Sequence, residues 1–364
     1  MKLRKLKMAT ALVASLALAS GCGASGGGGA TGDNSDKSAE DIVNENVPDT
    51  GITHGPKFDL AGVKITATTA LPGAINIGTL FAYKRLEEWG AEVDTIVLTT
   101  TSGAQTLIAG RADIASQGSD ELVLSAAEGA NMVGIGATST AQPYVLVADN
   151  KVGDSIESLK GKTVGMSGPS GFDALLTRLA LDGVGLDPKS DAKFVQIGGS
   201  PDRATALLSG QVDAATIFLE DWEEISRKTD KLHLVKYMAE LVPDVPAWSY
   251  FAEASYWKDN PEVALALACA NLEANNWINE DKDRYVDYVR QLVPSSTEEA
   301  LSSIYDSAQK INMWPTDPDK LFSPDGLKGL ISAMADTGEI KTEVDPAQIS
   351  DLSYLQKAES MGCK

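Results

Sequence analysis

The 364-residue chain carries 31 Lys and Arg against 51 Asp and Glu, a formal charge of −20 that repels a phosphate backbone and argues against nucleic-acid binding. Its 43% hydrophobic and 23% charged residues are ordinary for a packed globular protein, and the length suits one large or two medium domains. Two histidines and three cysteines leave few ligands for a Cys/His metal site, so no metal or other cofactor is expected.

The chain opens with a basic segment (Lys2, Arg4, Lys5, Lys7), an apolar stretch from Met8 to Ala19, and then Ser20-Gly21-Cys22. This pattern predicts an export signal over 1–21, too short for a stable membrane span. Without those four positive charges the remainder carries about −24. Ala19-Ser20-Gly21-Cys22 resembles the bacterial lipobox, with Ala19 where Leu is usual and Leu18 one step out. The resemblance implies a diacylglycerol on Cys22, which becomes the new N-terminus; the alternative is an ordinary secreted protein cut nearby. Gly23 to Glu45 is rich in Gly, Ser, Asn and Asp, which predicts a flexible tether, taken here as 22–58. Cys269 and Cys363 remain, and in an exported chain they read either as a disulfide or as two buried thiols.

The folded body begins near residue 59. Val63 to Thr68 alternates in the manner of a strand, Pro72-Gly73 breaks the chain, and apolar residues from Ile77 to Trp89 recur at helical spacing. Glu92 to Leu98 reads as the next strand, and the strand–helix–strand order argues for parallel βαβ units. Leu107 to Ala115 and Leu207 to Ala215 share the pattern L-[IL]-[AS]-G-x-[AV]-D-x-A, 100 residues apart. Each copy predicts a helix end with a left-handed glycine and then a strand beginning near Asp, which fits two similar α/β lobes. The boundaries expected are 59–146 for the first part of lobe one, 147–249 for lobe two, and 250–364 for a helical return to lobe one. Pro143 to Ala148 and Pro246 to Ala252 are the candidate crossover strands.

These features resemble the solute-binding proteins of ABC importers, most closely the family that takes nitrate, alkanesulfonates, taurine and thiamine-pyrimidine precursors. The resemblance rests on the two L-x-x-G-x-x-D units, on Leu159-Lys160-Gly161-Lys162-Thr163-Val164-Gly165, on Pro143 to Val147 and on Asp351 to Ala358, and covers about residues 60–358. It implies a type II periplasmic-binding-protein fold, α/β, with two lobes joined by two crossover strands that close on a solute by hinge motion. It also implies a permease and its ATPase as partners, a monomer, and anchorage through Cys22 at the outer face of the cell membrane, as in a Gram-positive envelope. A sensory or adhesion lipoprotein on the same fold is the alternative. No G-x-S-x-G, H-E-x-x-H or C-x-x-C motif is present, so an enzyme is not expected.

In such sheets ligands sit beyond the C-terminal ends of the strands. The candidate contacts are therefore Ala70 and Leu71; Gln117, Gly118, Ser119 and Asp120; Thr138 and Ser139; and Tyr144 on the first crossover. In lobe two they are Ser167, Gly168, Ser170, Gly171 and Phe172, then Phe218, Glu220 and Trp222. The same loops are also ordinary helix starts, where Ser, Asp and Glu cap and suit the dipole. Acids at the cleft suit an amine or hydroxyls better than an anion, with Arg203 the nearest candidate cation. Tyr144, Phe172, Phe218, Trp222 and Trp248 are candidates to sandwich a flat ring. A small heteroaromatic or amine-bearing solute is the expectation, with sulfonate, nitrate and aromatic carboxylate left open.

Overall fold

The structure is a computed structural model describing residues 39–98, 101–140, 142–169, 171–241 and 245–364. The export segment, Cys22 and Ser170 lie outside the described residues. The stretch expected as tether is folded where it is described. Helix α1 (Ala39–Glu45) lies on the first sheet's edge, where the Asn44 side chain donates to Thr95 O at 3.0 Å and accepts from Thr95 N–H at 2.8 Å. Further on, Thr50 donates through N–H and Oγ1 to the Glu88 carboxylate. The polar side chains that suggested free chain are thus partly consumed in pairing an exposed sheet edge.

Lobe one begins with β1 (Lys64–Thr69), α2 (Ile77–Glu88), β2 (Glu92–Val97), α3 (Gly103–Ile108), β3 (Ile114–Gly118), α4 (Ser119–Ala127) and β4 (Met132–Ser139). The chain then enters lobe two with β5 (Tyr144–Asp149), β6 (Thr163–Met166), α5 (Phe172–Gly183), β7 (Lys193–Gln196), α6 (Ser200–Ser209), β8 (Ala214–Phe218), α7 (Leu219–Ile225) and β9 (Leu232–Tyr237). It returns to lobe one through β10 (Trp248–Glu253) and α8 (Ala254–Asp259). The helices α9 (Pro261–Glu280), α10 (Lys282–Leu292), α11 (Glu298–Lys310), α12 (Pro318–Leu321), α13 (Pro324–Asp336) and α14 (Ser353–Ser360) complete the described chain.

The two sheets have matching orders, β2-β1-β3-β10-β4 and β7-β6-β8-β5-β9. The first three strands of each are parallel, and each crossover strand, β10 or β5, runs antiparallel to its neighbours in the fourth place. The lobes are therefore the same unit twice, joined where the chain changes sheet at 140–143 and at 238–247.

The repeat in sequence is the repeat in structure. Gly110 and Gly210 take φ of 63° and 72°, ending α3 and α6 in the left-handed conformation that glycine tolerates. The following aspartates bond to the neighbouring parallel strand in the same way. Asp113 N–H donates to Thr66 O while its carboxylate accepts from Thr66 N–H; Asp213 does both with Thr163. The crossovers add a second shared feature, since the first N–H of α4 (Ser119) donates to Ala247 O and that of α7 (Leu219) to Pro143 O.

Lobe one is the larger because α9, rich in alanine and buried along most of its length, packs against α2 and β4. Cys269 on α9 is disulfide-bonded to Cys363, 94 residues away, which fixes the tail after α14. A buried Arg85 pairs with Glu273 of α9 at 2.6 Å and with Glu88 at 2.7 Å. The C-terminal helices do not all stay on lobe one: α11 packs on α7, where the buried Glu223 carboxylate accepts from Ser303 and Ser307.

Candidate functional site

The C-terminal end of β3, the start of α4 and the two crossovers enclose a cavity of about 180 Å³. Lobe one contributes Gln117, Gly118, Asp120, Glu121 and Trp248, lobe two contributes Tyr144 and Phe172, and the linkers contribute Gln142 and Ala247. Two glycines make room for its polar groups. A Cβ on Gly118 would meet Asp120 Oδ1 at 2.2 Å, and one on Gly103 would meet Gln117 Cγ at 2.5 Å.

The polar lining is unusual for a protein interior. Gln117 is 9% exposed and its Nε2 has no hydrogen-bond partner among the described residues. Gln142 is fully buried; its Nε2 donates to Val245 O at 3.3 Å, while its Oε1 has no partner among the described residues. A buried amide atom left unpaired costs about 1–3 kcal/mol, so a group that paired this donor and this acceptor would offset that cost.

The acids differ in their commitments. Glu121 accepts from Ser102 Oγ at 2.7 Å and from Ala104 N–H at 3.3 Å, holding the start of α3, and burial raises its pKa. Asp120 has its pKa raised to about 7, first by burial, then by the neighbouring Glu121 and by Glu339. Arg178 of α5 is engaged with Glu339 at 3.4 Å and with Pro169 O at 2.7 Å. Among the described residues, no Lys or Arg lines the cavity.

Four aromatic side chains form a continuous run beside it: Phe172 to Tyr144 at 6.0 Å between ring centroids, Tyr144 to Phe218 at 4.6 Å, and Phe218 to Trp248 at 5.9 Å. Burial raises the pKa of the Tyr144 hydroxyl strongly, which keeps it neutral and available as a donor.

Of the residues expected from sequence, Gln117, Gly118, Asp120, Tyr144 and Phe172 come together here, with Phe218 stacked behind Tyr144. The others are placed elsewhere. Ser119 is buried and bonded to Ser249 Oγ. Thr138 and Ser139 are buried in the lobe-one sheet, with Ser139 O accepting from Ala247 N–H. Ser167 gives both its N–H and its hydroxyl to Asp173, and Gly168 O accepts from Gly171 N–H, so that loop is held by internal bonds. Leu71 is 54% exposed and, like Ala70, lies off the cavity; Leu71 O accepts from the Asn76 side chain.

Three further residues have protein partners of their own. Trp222 packs on the core that α7 shares with α10 and α11 and borders an outer groove with residues 226–234. Glu220 reaches across the cleft to the backbone of lobe one, where its carboxylate accepts from Ala74 N–H at 3.1 Å. Arg203 is 2% exposed and turned inward, donating to Thr216 O and Gly198 O and lying 3.6 Å from Asp173, so it offers nothing to an anion.

Sequence reasoning missed Glu121, Gln142 and Ala247. Glu121 looks like a second acid at a helix start, and Gln142 and Ala247 sit in linkers without periodicity. Only their proximity to the crossover strands could have drawn attention to them.

Comparison with known proteins agrees with this geometry. Residues 86–284 match the family described as "NMT1/THI5 like". "Putative binding protein YtlA" of Bacillus subtilis (strain 168) is 24% identical over 281 residues, 75% of this chain and 83% of that protein. The nitrate-binding protein NrtA from Synechocystis PCC 6803 superposes with a TM-score of 0.68 at 14% identity, covering 84% of this chain and 90% of its own. The periplasmic aliphatic sulphonate binding protein SsuA from Escherichia coli gives 0.65 at 17% identity, covering 79% and 92%. The similarity in structure shows a shared periplasmic-binding-protein fold, and the match over more than half of its length shows that the chain belongs to the NMT1/THI5-like family.

Proposed function

We propose that the chain is the extracytoplasmic solute-binding component of an ABC importer, anchored through a lipidated Cys22 and delivering a small solute to a membrane permease coupled to an ATPase. The observation that carries the reading is the cavity between the lobes, where Gln117 Nε2 and Gln142 Oε1 are buried without partners beside Asp120. A polar site at the strand ends of a two-lobed sheet protein is built for capture by closure. Binding rather than catalysis is the reading, and it is supported by the family and by the two solved structures named as binding proteins.

The lining also selects a ligand class. With two carboxyl groups, two amides, three aromatic rings and no cation, the site favours an uncharged or amine-bearing ring over nitrate or a sulfonate. A single anion placed beside Asp120 and Glu121 would be opposed by both. The nitrate- and sulphonate-binding relatives therefore supply the fold here rather than the solute.

The test is a thermal-shift panel on the full chain, unfolded and refolded to release carried ligand, with pyrimidines, amines, aromatic carboxylates, sulfonates and nitrate. A solute at 100 times its Kd should stabilise the protein by about 2.7 kcal/mol. A shift with ring amines supports the reading. A shift confined to sulfonates or nitrate would show that Asp120 and Glu121 do not set the ligand's charge.

A further inference from the structure

We propose that Glu220 is an interlobe clasp: from the first turn of α7 in lobe two, its carboxylate holds the lobe-one turn at residues 73–75 and so sets the balance between open and closed protein. The proposal rests on the reading of the chain as a hinge-closing binder, but its test needs no ligand.

The turn is shaped to receive a carboxylate. Asn76 folds back on it, accepting from Gly73 N–H at 2.8 Å and donating to Leu71 O at 2.7 Å, which leaves Ala74 N–H pointing out of the turn. Ala74 O is held from behind by the Tyr285 hydroxyl of α10 at 2.8 Å. Glu220 Oε2 accepts from Ala74 N–H at 3.1 Å, and Ile75 N–H also acts on the carboxylate. Gly73 supplies the clearance, since a Cβ there would stand 3.0 Å from both carboxylate oxygens.

The contact spans 146 residues of sequence and joins elements of different lobes. Other contacts between the helical return and lobe two lie at Glu223 with Ser303 and Ser307, on the same helix, and at Arg178 with Glu339, away from it. A clasp at Glu220 should therefore be felt at Arg178 and Glu339. A bond that merely ordered its own turn would not be.

Two substitutions from opposite lobes test this: E220A removes the acceptor, and G73A drives a methyl group against it while leaving lobe two untouched. Hydrogen exchange of the ligand-free full chain is read over residues 71–76 and, separately, over 168–180 and 337–341. Both variants should exchange several-fold faster at all three places. E220Q, which keeps one acceptor oxygen, should lie between E220A and the parent. Faster exchange confined to 71–76, or no change in either variant, overturns the clasp. Should E220A fail to fold, G73A carries the test alone. A clasp that passes while no solute raises the melting temperature would sink the binder reading and leave the clasp standing.

Discussion

Asp113 and Asp213, 100 residues apart, do one job in two lobes, each closing a two-way bond with the neighbouring parallel strand at Thr66 or Thr163. Seven residues further on the correspondence persists in position and breaks in use. Asp120 and Glu220 both open the helix after the repeat's strand, and both have pKa values raised to about 7 by burial. Asp120 faces the cavity, whereas Glu220 crosses to the other lobe. The lesson is that a duplicated unit keeps the residues that its own fold requires. The residues that look outward, towards a ligand or the other lobe, are free to diverge.

The largest expected effect lies where the lobes are least alike. Among the described residues the disulfide lies in lobe one, and Cys269 and Cys363 are both buried. Replacing both with alanine should cost about 2–5 kcal/mol in denaturant unfolding, with α14 the first element to lose protection. A loss below 1 kcal/mol would show that packing of α14 on α9 suffices without the bond. Next comes the shared pair. D113A and D213A should each cost about 1.5–3 kcal/mol, the range for hydrogen bonds to a charged group. Unequal losses would break the equivalence on which the two-lobe comparison stands. Smaller again is Q117M, which removes a buried, unpaired amide from the ligand-free protein. It should leave the midpoint unchanged or raise it while weakening capture of whichever solute the panel identifies by five-fold or more. A destabilised Q117M would mean that the amide is already bonded and is not waiting for a ligand.

How much of this was legible follows from the range over which each feature is determined. Strands, helices and the repeat were readable because apolar spacing, Gly110 and Gly210 act locally. Gln117, Gly118 and Asp120 were readable because they follow a strand at its C-terminal end. The bond of Glu220 was not legible because its partner is 146 residues away, and nothing in Leu219-Glu220-Asp221 distinguishes a ligand contact from a bond between lobes. The bonds of Arg203 were not legible for a related reason: a cation in a loop looks available until Thr216 O, Gly198 O and Asp173 are found around it. The tether was extended too far because composition does not reveal that Asn44 and Thr50 meet Thr95 and Glu88.

The effect that bears most directly on Asp120 and Glu220 is the dependence of stability on pH. Their ordinary values are 3.8 and 4.5, and both are raised to about 7 in the folded protein. Asp120 is raised by burial, Glu121 and Glu339; Glu220 by burial, Asp221 and Glu224, against the opposing pull of the Ala74 and Ile75 amides. Between about pH 4 and pH 7 the native state therefore holds protons that the unfolded chain has released. The contribution of both groups to stability is complete below that window and is lost as pH rises through it. Denaturant midpoints of the ligand-free protein should fall from pH 5 to pH 8, and D120N and E220Q should each flatten the fall. An amine-bearing solute reverses the sign for one group only: it needs Asp120 ionised, so its affinity should rise as pH passes 7, and D120N should abolish that rise while E220Q retains it. If E220Q removes the pH dependence of affinity and D120N does not, the roles assigned to the two acids are exchanged.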